Sequence, residues 1–413
     1  MLSVAGCTKP DIALEDTGAL NQTVFANETA TAKAITFSAT GAWSASTRSS
    51  WLSVTPDHGE EAGSYSVDIT LQSNDTDSDR TGIVEIKGGN TYILVKVTQK
   101  ATNKTGGEPN RSHFWKPKSG DVYVAGYNNN SSGYYKETAT VWKNGVAQSL
   151  TDGTNDARAN SIFVSGGDVY VAGYIKKNNE VAVLWKNGIA QSLTEETSNA
   201  RANSVFVSGN DVYVAGYNNS RAVLWKNGVA QYFTDGTRYA QANSVFVSGN
   251  DVYVAGYERT LTGSDYIAKL WKNGVAQELA EETNYWGAYS VFVSGNDVYV
   301  AGYKLWKNGV VQKLLNGNDH PGGNSVFVSG NDVYVAGYGA ILRKNGVMQE
   351  LTDGTRDAGA YSVFVSGNDV YVVGYERDNR NSYNIAKLWK NGLAQNLSDG
   401  TRNAGANFVF VVE

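Results

Sequence analysis

Asp211-Val212-Tyr213-Val214-Ala215-Gly216-Tyr217, followed by Trp225-Lys226-Asn227-Gly228, decides the fold of this 413-residue chain because both strings recur. Copies of the first begin at Asp121, Asp168, Asp211, Asp251, Asp297, Asp332 and Asp369, the last with Val373 in place of alanine. Their spacings are 47, 43, 40, 46, 35 and 37 residues. The second string begins at Trp142, Trp185, Trp225, Trp271, Trp306 and Trp389, and Arg343 replaces the tryptophan in the sixth copy. A period of this size marks one supersecondary unit stacked many times over.

The copy at 204–233 parses into four strands. Residues 204–207 form the first, Ser208-Gly209-Asn210 a tight turn, and 211–217 the second. Residues 222–225 form the third, Asn227-Gly228 is a two-residue hairpin signal, and 229–233 form the fourth. Strands apolar on both faces suit sheets covered on both sides. The first copy has no Ser-Val-Phe-Val strand ahead of it, whereas the chain finishes with Asn407-Phe408-Val409-Phe410-Val411. The last strand is therefore expected to complete the first sheet and hide the edges an open sheet would expose. This pattern resembles a β-propeller, which implies seven blades over residues 113–413, closed by the C-terminal strand. No WD dipeptide or kelch glycine pair assigns a named propeller subfamily.

Upstream, residues 12–100 carry short period-2 runs such as Tyr65-Ser66-Val67-Asp68-Ile69-Thr70-Leu71 and Tyr92-Ile93-Leu94-Val95-Lys96-Val97. They predict an Ig-like β-sandwich, so the chain as a whole is expected to be all-β. Trp43-Ser44-Ala45-Ser46, Trp51-Leu52-Ser53-Val54-Thr55-Pro56, the stretch from Asn74 to Gly82, and Val95-Lys96-Val97-Thr98-Gln99 resemble the BACON domain (Bacteroidetes-associated carbohydrate-binding, often N-terminal). The resemblance implies carbohydrate binding or a spacer role. Trp43 and Trp51 lie within strand signatures and are expected in the core. Asp75, Asp77 and Asp79 have the opening spacing of a calcium loop, but Arg80 and Ile86 replace its glycine and glutamate, so a solvated hairpin loop is expected. Residues 101–112 read as a linker.

The single cysteine falls in Val4-Ala5-Gly6-Cys7, which resembles a bacterial lipobox. That implies lipidation of Cys7, residues 1–11 as lipobox remnant and tether, and an exported lipoprotein at the outer membrane or surface of a Gram-negative cell. Any membrane association would run through the lipid, because no apolar run is long enough to span a bilayer. One cysteine excludes a disulfide framework, and a net charge of −5 without basic clusters gives no footprint for nucleic acid. The three histidines, His58, His113 and His320, are too scattered to suggest a metal site. No metal or cofactor is expected, and the chain is read as a monomer.

Positions identical in every copy are expected to serve the fold, and those that vary are better candidates for function. The variable loops, joining second to third strands and one sheet to the next, share one face. There they carry Arg158, Arg201, Gln241, Asn284, Tyr285, Trp286, Tyr289, Asp319, His320, Asp357 and Tyr361. The loops between second and third strands are shortest in the fifth and sixth copies, which predicts a notch in the rim. Asn284, Tyr285, Trp286, Tyr289, Asp319, His320, Asp357 and Tyr361 border it and are the candidate ligand-binding residues. Aromatic planes can stack on the C–H face of a sugar, and the amide and carboxylates can meet its hydroxyls. Alternatively, Trp286 and the tyrosines fold inward and fill space. No nucleophile elbow, zinc or phosphate-loop motif is present. The chain is thus expected to be a non-catalytic binding protein for a carbohydrate, with a protein partner as the alternative and a glycosidase or polysaccharide lyase as a lesser one.

Overall fold

The computed structural model describes residues 11–15, 19–24, 34–74, 76, 79–99, 115–129, 136–260, 265–279, 287–312, 322–377 and 383–413. Among them there is no helix. The chain divides into two compact units, 1–109 and 110–413.

The N-terminal unit has two sheets. One orders Ile12–Leu14, Ile35–Ala39, Gly63–Leu71 and Leu52–Thr55; the other orders Asn21–Val24, Thr91–Gln99, Arg80–Gly88, Trp43–Thr47 and His58–Gly59. Alternate residues of Arg80–Gly88 and Thr91–Gln99 are buried, as period-2 strands with one solvated face require. Val67, Ile69, Val84, Ile86, Val95 and Val97 pack with Phe37 and Trp43 into one core. Trp43 is 3% exposed, its ring edge-on to Phe37 at 4.9 Å. Trp51 is half-buried beneath the Arg80 guanidinium, 4.3 Å from the ring centroid. Of the aspartates in the would-be calcium loop, Asp75 and Asp77 lie outside the described residues, as does Cys7.

The C-terminal unit is propeller-like. Among the described residues it forms seven four-stranded antiparallel sheets, numbered here in chain order. Sheet 3 is representative: Ala200–Ser208 (inner), Asp211–Asn218, Arg221–Lys226 and Val229–Tyr232 (outer). Sheet 1 takes its inner strand from the far end of the chain, where Ala404–Val411 pairs with Val122–Asn128. Apolar clusters fill the spaces between neighbouring sheets, including one in which Val124 and Trp142 of sheet 1 meet Val373 and Leu388 of sheet 7. The inner strands surround an axis. Phe163, Phe206, Phe246, Phe292, Phe327, Phe364 and Phe410 form a ring that returns to its start, with successive centroids 4.7 to 5.2 Å apart.

The invariant positions do structural work on the side away from the variable loops. Asn227 sits at φ 49° and Gly228 at φ 79°, as a two-residue hairpin with both φ positive requires. Asn227 Oδ1 accepts from Val212 N at 2.8 Å, and its Nδ2 donates to Asp211 Oδ1 at 2.7 Å. Asp211 also meets Lys226 Nζ at 2.7 Å, and Lys226 lies over the Tyr213 ring. The Asp–Lys pair recurs in every sheet. In five of the seven sheets the pair is half-exposed and screened by solvent, so it adds little to stability there. The tryptophans of the second string are almost wholly buried.

Every inner strand also has a bulge at one equivalent residue: Asn160, Asn203, Asn243, Tyr289, Asn324, Tyr361 or Asn407. A bulge leaves its extra residue out of the ladder and re-aims the side chain. It also brings a carbonyl against the neighbouring strand. A Cβ on Gly216 would stand 2.0 Å from Arg201 O and 2.9 Å from the Trp225 ring, which explains the glycine of the first repeated string. The asparagines use their re-aimed amides to bond the next sheet. Asn160, Asn203, Asn243 and Asn324 donate from Nδ2 to the carbonyls of Ala202, Ala242, Ala288 and Ala360, and Asn407 donates to Ala159.

Candidate functional site

Two residues ahead of each bulge, towards the variable loops, lies a second row: Arg158, Arg201, Gln241, Gly287, Gly322, Gly359 and Gly405. Five of its positions face the tyrosine that ends the first repeated string: Arg158 pairs with Tyr174, Arg201 with Tyr217, Gln241 with Tyr257, Gly359 with Tyr375 and Gly405 with Tyr127. The row therefore has a polar sector of long side chains and a sector of bare backbone.

In the polar sector each arginine reaches back to the preceding sheet. Arg158 makes a bidentate pair with Glu137 and lies over the Tyr127 ring at 4.3 Å. Arg201 makes the equivalent pair with Glu180, with both contacts at 2.5 Å, and lies over Tyr174 at 4.3 Å. Tyr217 Oη donates to Glu180 Oε2 at 2.9 Å. The arginine side chains are 36% exposed, while the glutamates are only 13% and 12% exposed. Burial alone would raise the Glu180 pKa, but the Arg201 guanidinium outweighs it and holds the carboxyl below the ordinary carboxylate range. Gln241 continues the row, its Oε1 accepting from Tyr239 at 3.1 Å and Tyr257 at 2.9 Å.

In the glycine sector tyrosine rings lie over the backbone. A Cβ on Gly322 would stand 2.3 Å from the Tyr338 ring, and one on Gly359 would stand 2.8 Å from Tyr375. The second strands are short here. The second strands of sheets 5 and 6 end at Gly302 and Gly337, before the tyrosine, whereas those of the other five sheets run past it. Tyr338 is 49% exposed and Tyr361 37% exposed, while Tyr289 is half-buried. Tyr338 lies close enough to both Tyr289 and Tyr361 to influence them electrostatically, and Tyr361 packs against Tyr375 at 5.6 Å. Burial is the main cause that pushes the Tyr289 hydroxyl up to about 12, with Tyr338 adding to it. These phenols are therefore neutral donors and acceptors near pH 7.

Tyr289 and Tyr361 occupy the two bulge positions that lack asparagine, so their rings are released from the amide's sheet-joining role. Of the residues anticipated from sequence, these two fall in one cluster around sheet 6. Asp357 lies beside it, 3.4 Å from Tyr375 Oη and 3.3 Å from Arg377. Asn284, Tyr285, Trp286, Asp319 and His320 lie outside the described residues. The sequence reading passed over Tyr338 and the glutamate partners of the arginines. One signal was available: Glu137 precedes Arg158, and Glu180 precedes Arg201, by the same 21 residues.

No curated protein matches the chain. Among solved structures, a quinonprotein alcohol dehydrogenase-like protein of Bacteroides thetaiotaomicron is 11% identical with a TM-score of 0.42, over 97% of this chain and 99% of that one. The β-propeller domain of the trilobed protease of Pyrococcus furiosus is 9% identical with a TM-score of 0.31, over 94% and 96%. A GH5 xyloglucanase of Bacteroides ovatus, in complex with a heptasaccharide, is 25% identical with a TM-score of 0.20, over 22% of this chain and 19% of that one. Residues 18–102 match the family model described as Viral BACON domain, which agrees with the resemblance read from the tryptophan and terminal-strand motifs of that stretch.

Proposed function

We propose that this chain is an exported, non-catalytic carbohydrate-binding protein, anchored by lipid at Cys7 on the surface of a Gram-negative cell. An Ig-like β-sandwich at 12–100 is joined by a linker to a seven-bladed β-propeller at 113–413, closed by its C-terminal strand. The variable-loop mouth of the propeller is the binding site. One observation carries this reading: at two of the seven bulges the asparagine that joins the sheets is replaced by tyrosine, and both rings lie within electrostatic reach of exposed Tyr338, where the second strands are shortest. Aromatic planes with neutral hydroxyls next to fixed amides and ion pairs can stack on a sugar face and bond its hydroxyls. A binding role also suits the carboxylates of the polar sector, because Glu137 and Glu180 are already engaged by arginine. The BACON match over residues 18–102 is consistent with a carbohydrate context.

The test restores the repeat's own residue. Tyr289→Asn and Tyr361→Asn return the amide to the bulge, so folding stability is expected to hold within about 1 kcal/mol of the parent. Removing a stacking ring is expected to weaken saccharide binding by about 2 kcal/mol, roughly thirtyfold. A glycan array on the parent, followed by titration calorimetry on its best hit and on both variants, measures this. Silence on glycans, with a protein captured instead, would replace the carbohydrate reading with the protein-partner one.

A further inference from the structure

The polar sector carries charge but has little to offer an ion. Arg158 and Arg201 each spend two guanidinium nitrogens on a carboxylate, Glu137 and Glu180 respectively, that is itself almost buried. An acidic sugar approaching either arginine would bring its carboxylate or sulfate against the glutamate already in place, and like-charge juxtaposition disfavours the wrong partner strongly. Further round the mouth, Gln241 and the tyrosine hydroxyls are neutral, and Asp357 faces Arg377. At these positions the mouth thus offers oriented donors and acceptors whose charges are met by a partner: Arg158 by Glu137, Arg201 by Glu180 and Arg377 by Asp357.

We infer that the mouth selects a neutral saccharide and rejects uronate-containing or sulfated ones, with Glu137 and Glu180 as the residues that set this preference by cancelling Arg158 and Arg201. This rests on the carbohydrate reading above. It assigns the two glutamates a specificity role beyond holding the arginines in place, and it makes the preference switchable. Glutamine at 137 and 180 keeps the shape and one hydrogen-bond acceptor but leaves two cations over the Tyr127 and Tyr174 rings.

The experiment uses the full chain on an array holding neutral oligosaccharides (gluco-, xylo-, manno- and galacto-configured) beside oligogalacturonates, alginate oligomers and heparin fragments. The parent is expected to bind neutral members only, and Glu137→Gln/Glu180→Gln is expected to gain about tenfold or more for an acidic one, as a newly available charge-assisted hydrogen bond would give. Should the double variant fail to fold by circular dichroism, Glu180→Gln alone serves with the same expectation. A parent that binds an acidic glycan as well as or better than a neutral one overturns the inference and leaves the carbohydrate reading standing. Neutral binding by the parent without any acidic gain in the folded variants also overturns it, because the glutamates then do not set the preference. A parent that binds no glycan removes the carbohydrate reading, and the inference with it.

Discussion

Trp271, from the fourth copy of the second repeated string, is 1% exposed and stacked at 5.3 Å on Phe233 of the preceding sheet. Its neighbours Tyr213, Ala215, Leu224 and Val254 come from two sheets, so truncation opens a cavity that neither can refill alone. Trp271→Ala is expected to cost about 3–5 kcal/mol in urea-induced unfolding. Glu180 makes a different kind of prediction. Its folded-state pKa lies below the ordinary value, so the Arg201 pair stabilises the fold fully above about pH 4.3, and that contribution is lost as pH falls through the depressed value. Glu180→Gln should therefore flatten the acid limb of a stability-versus-pH curve; an unchanged limb would mean the pair adds nothing. The two residues also differ in how far the sequence exposed them. Trp271 recurs in every copy but one, and repetition within one chain is a legible sign of a packing role. Glu180 opens the third strand of sheet 2, and its partner comes from the inner strand of the next sheet. Only the folded arrangement brings such groups together.

The inner strand is the element on which both fold and site depend. Its central residues make the phenylalanine ring, and its bulge decides whether an amide joins the sheets or a tyrosine enters the mouth. The strand itself was legible from Ser-Val-Phe-Val, and so was the displaced copy at the chain's end. The bulge was not, because a one-residue insertion leaves the alternation readable on either side of it and is seen only in the register. Ala404–Val411 makes the strongest elemental prediction. Asn407 donates to Ala159 of sheet 2, Val409 N donates to Ser362 Oγ of sheet 7 at 3.3 Å, and Phe410 lies between Phe364 and Phe163. Deleting residues 407–413 removes buried Val409 and Val411 together with Phe410, each worth roughly 1.5–3 kcal/mol, and strips residues 122–125 of their inner partner. The truncated protein is expected to lose at least about 4 kcal/mol and to bind a hydrophobic dye. A melting temperature equal to the parent's would show that the ring does not depend on this strand.

At the scale of the molecule, each unit has its own core and its own exposed aromatic surface, so either could in principle hold a saccharide. On the N-terminal unit the aromatic candidate is Tyr92, 52% exposed on a sheet that also exposes Leu94 and Ile83. Its ring carries the ammonium of Lys87, 5.5 Å from the centroid, and Trp43 is buried in the core. The C-terminal unit instead gathers Tyr289, Tyr338 and Tyr361 at one mouth with fixed polar partners beside them. Stacking planes combined with hydrogen bonds held by a rigid frame lose less entropy on binding than a lone ring on an open sheet face. The fragment 110–413 is therefore expected to keep the parent's saccharide affinity within about threefold, well under the 1.4 kcal/mol that separates tenfold steps. The fragment 1–109 is expected to show no binding at the same concentration. Calorimetry on both fragments with the parent's best array hit decides the matter. Binding by 1–109 with none by 110–413 would move the site to the Tyr92 face and reduce the tyrosines of the mouth to packing.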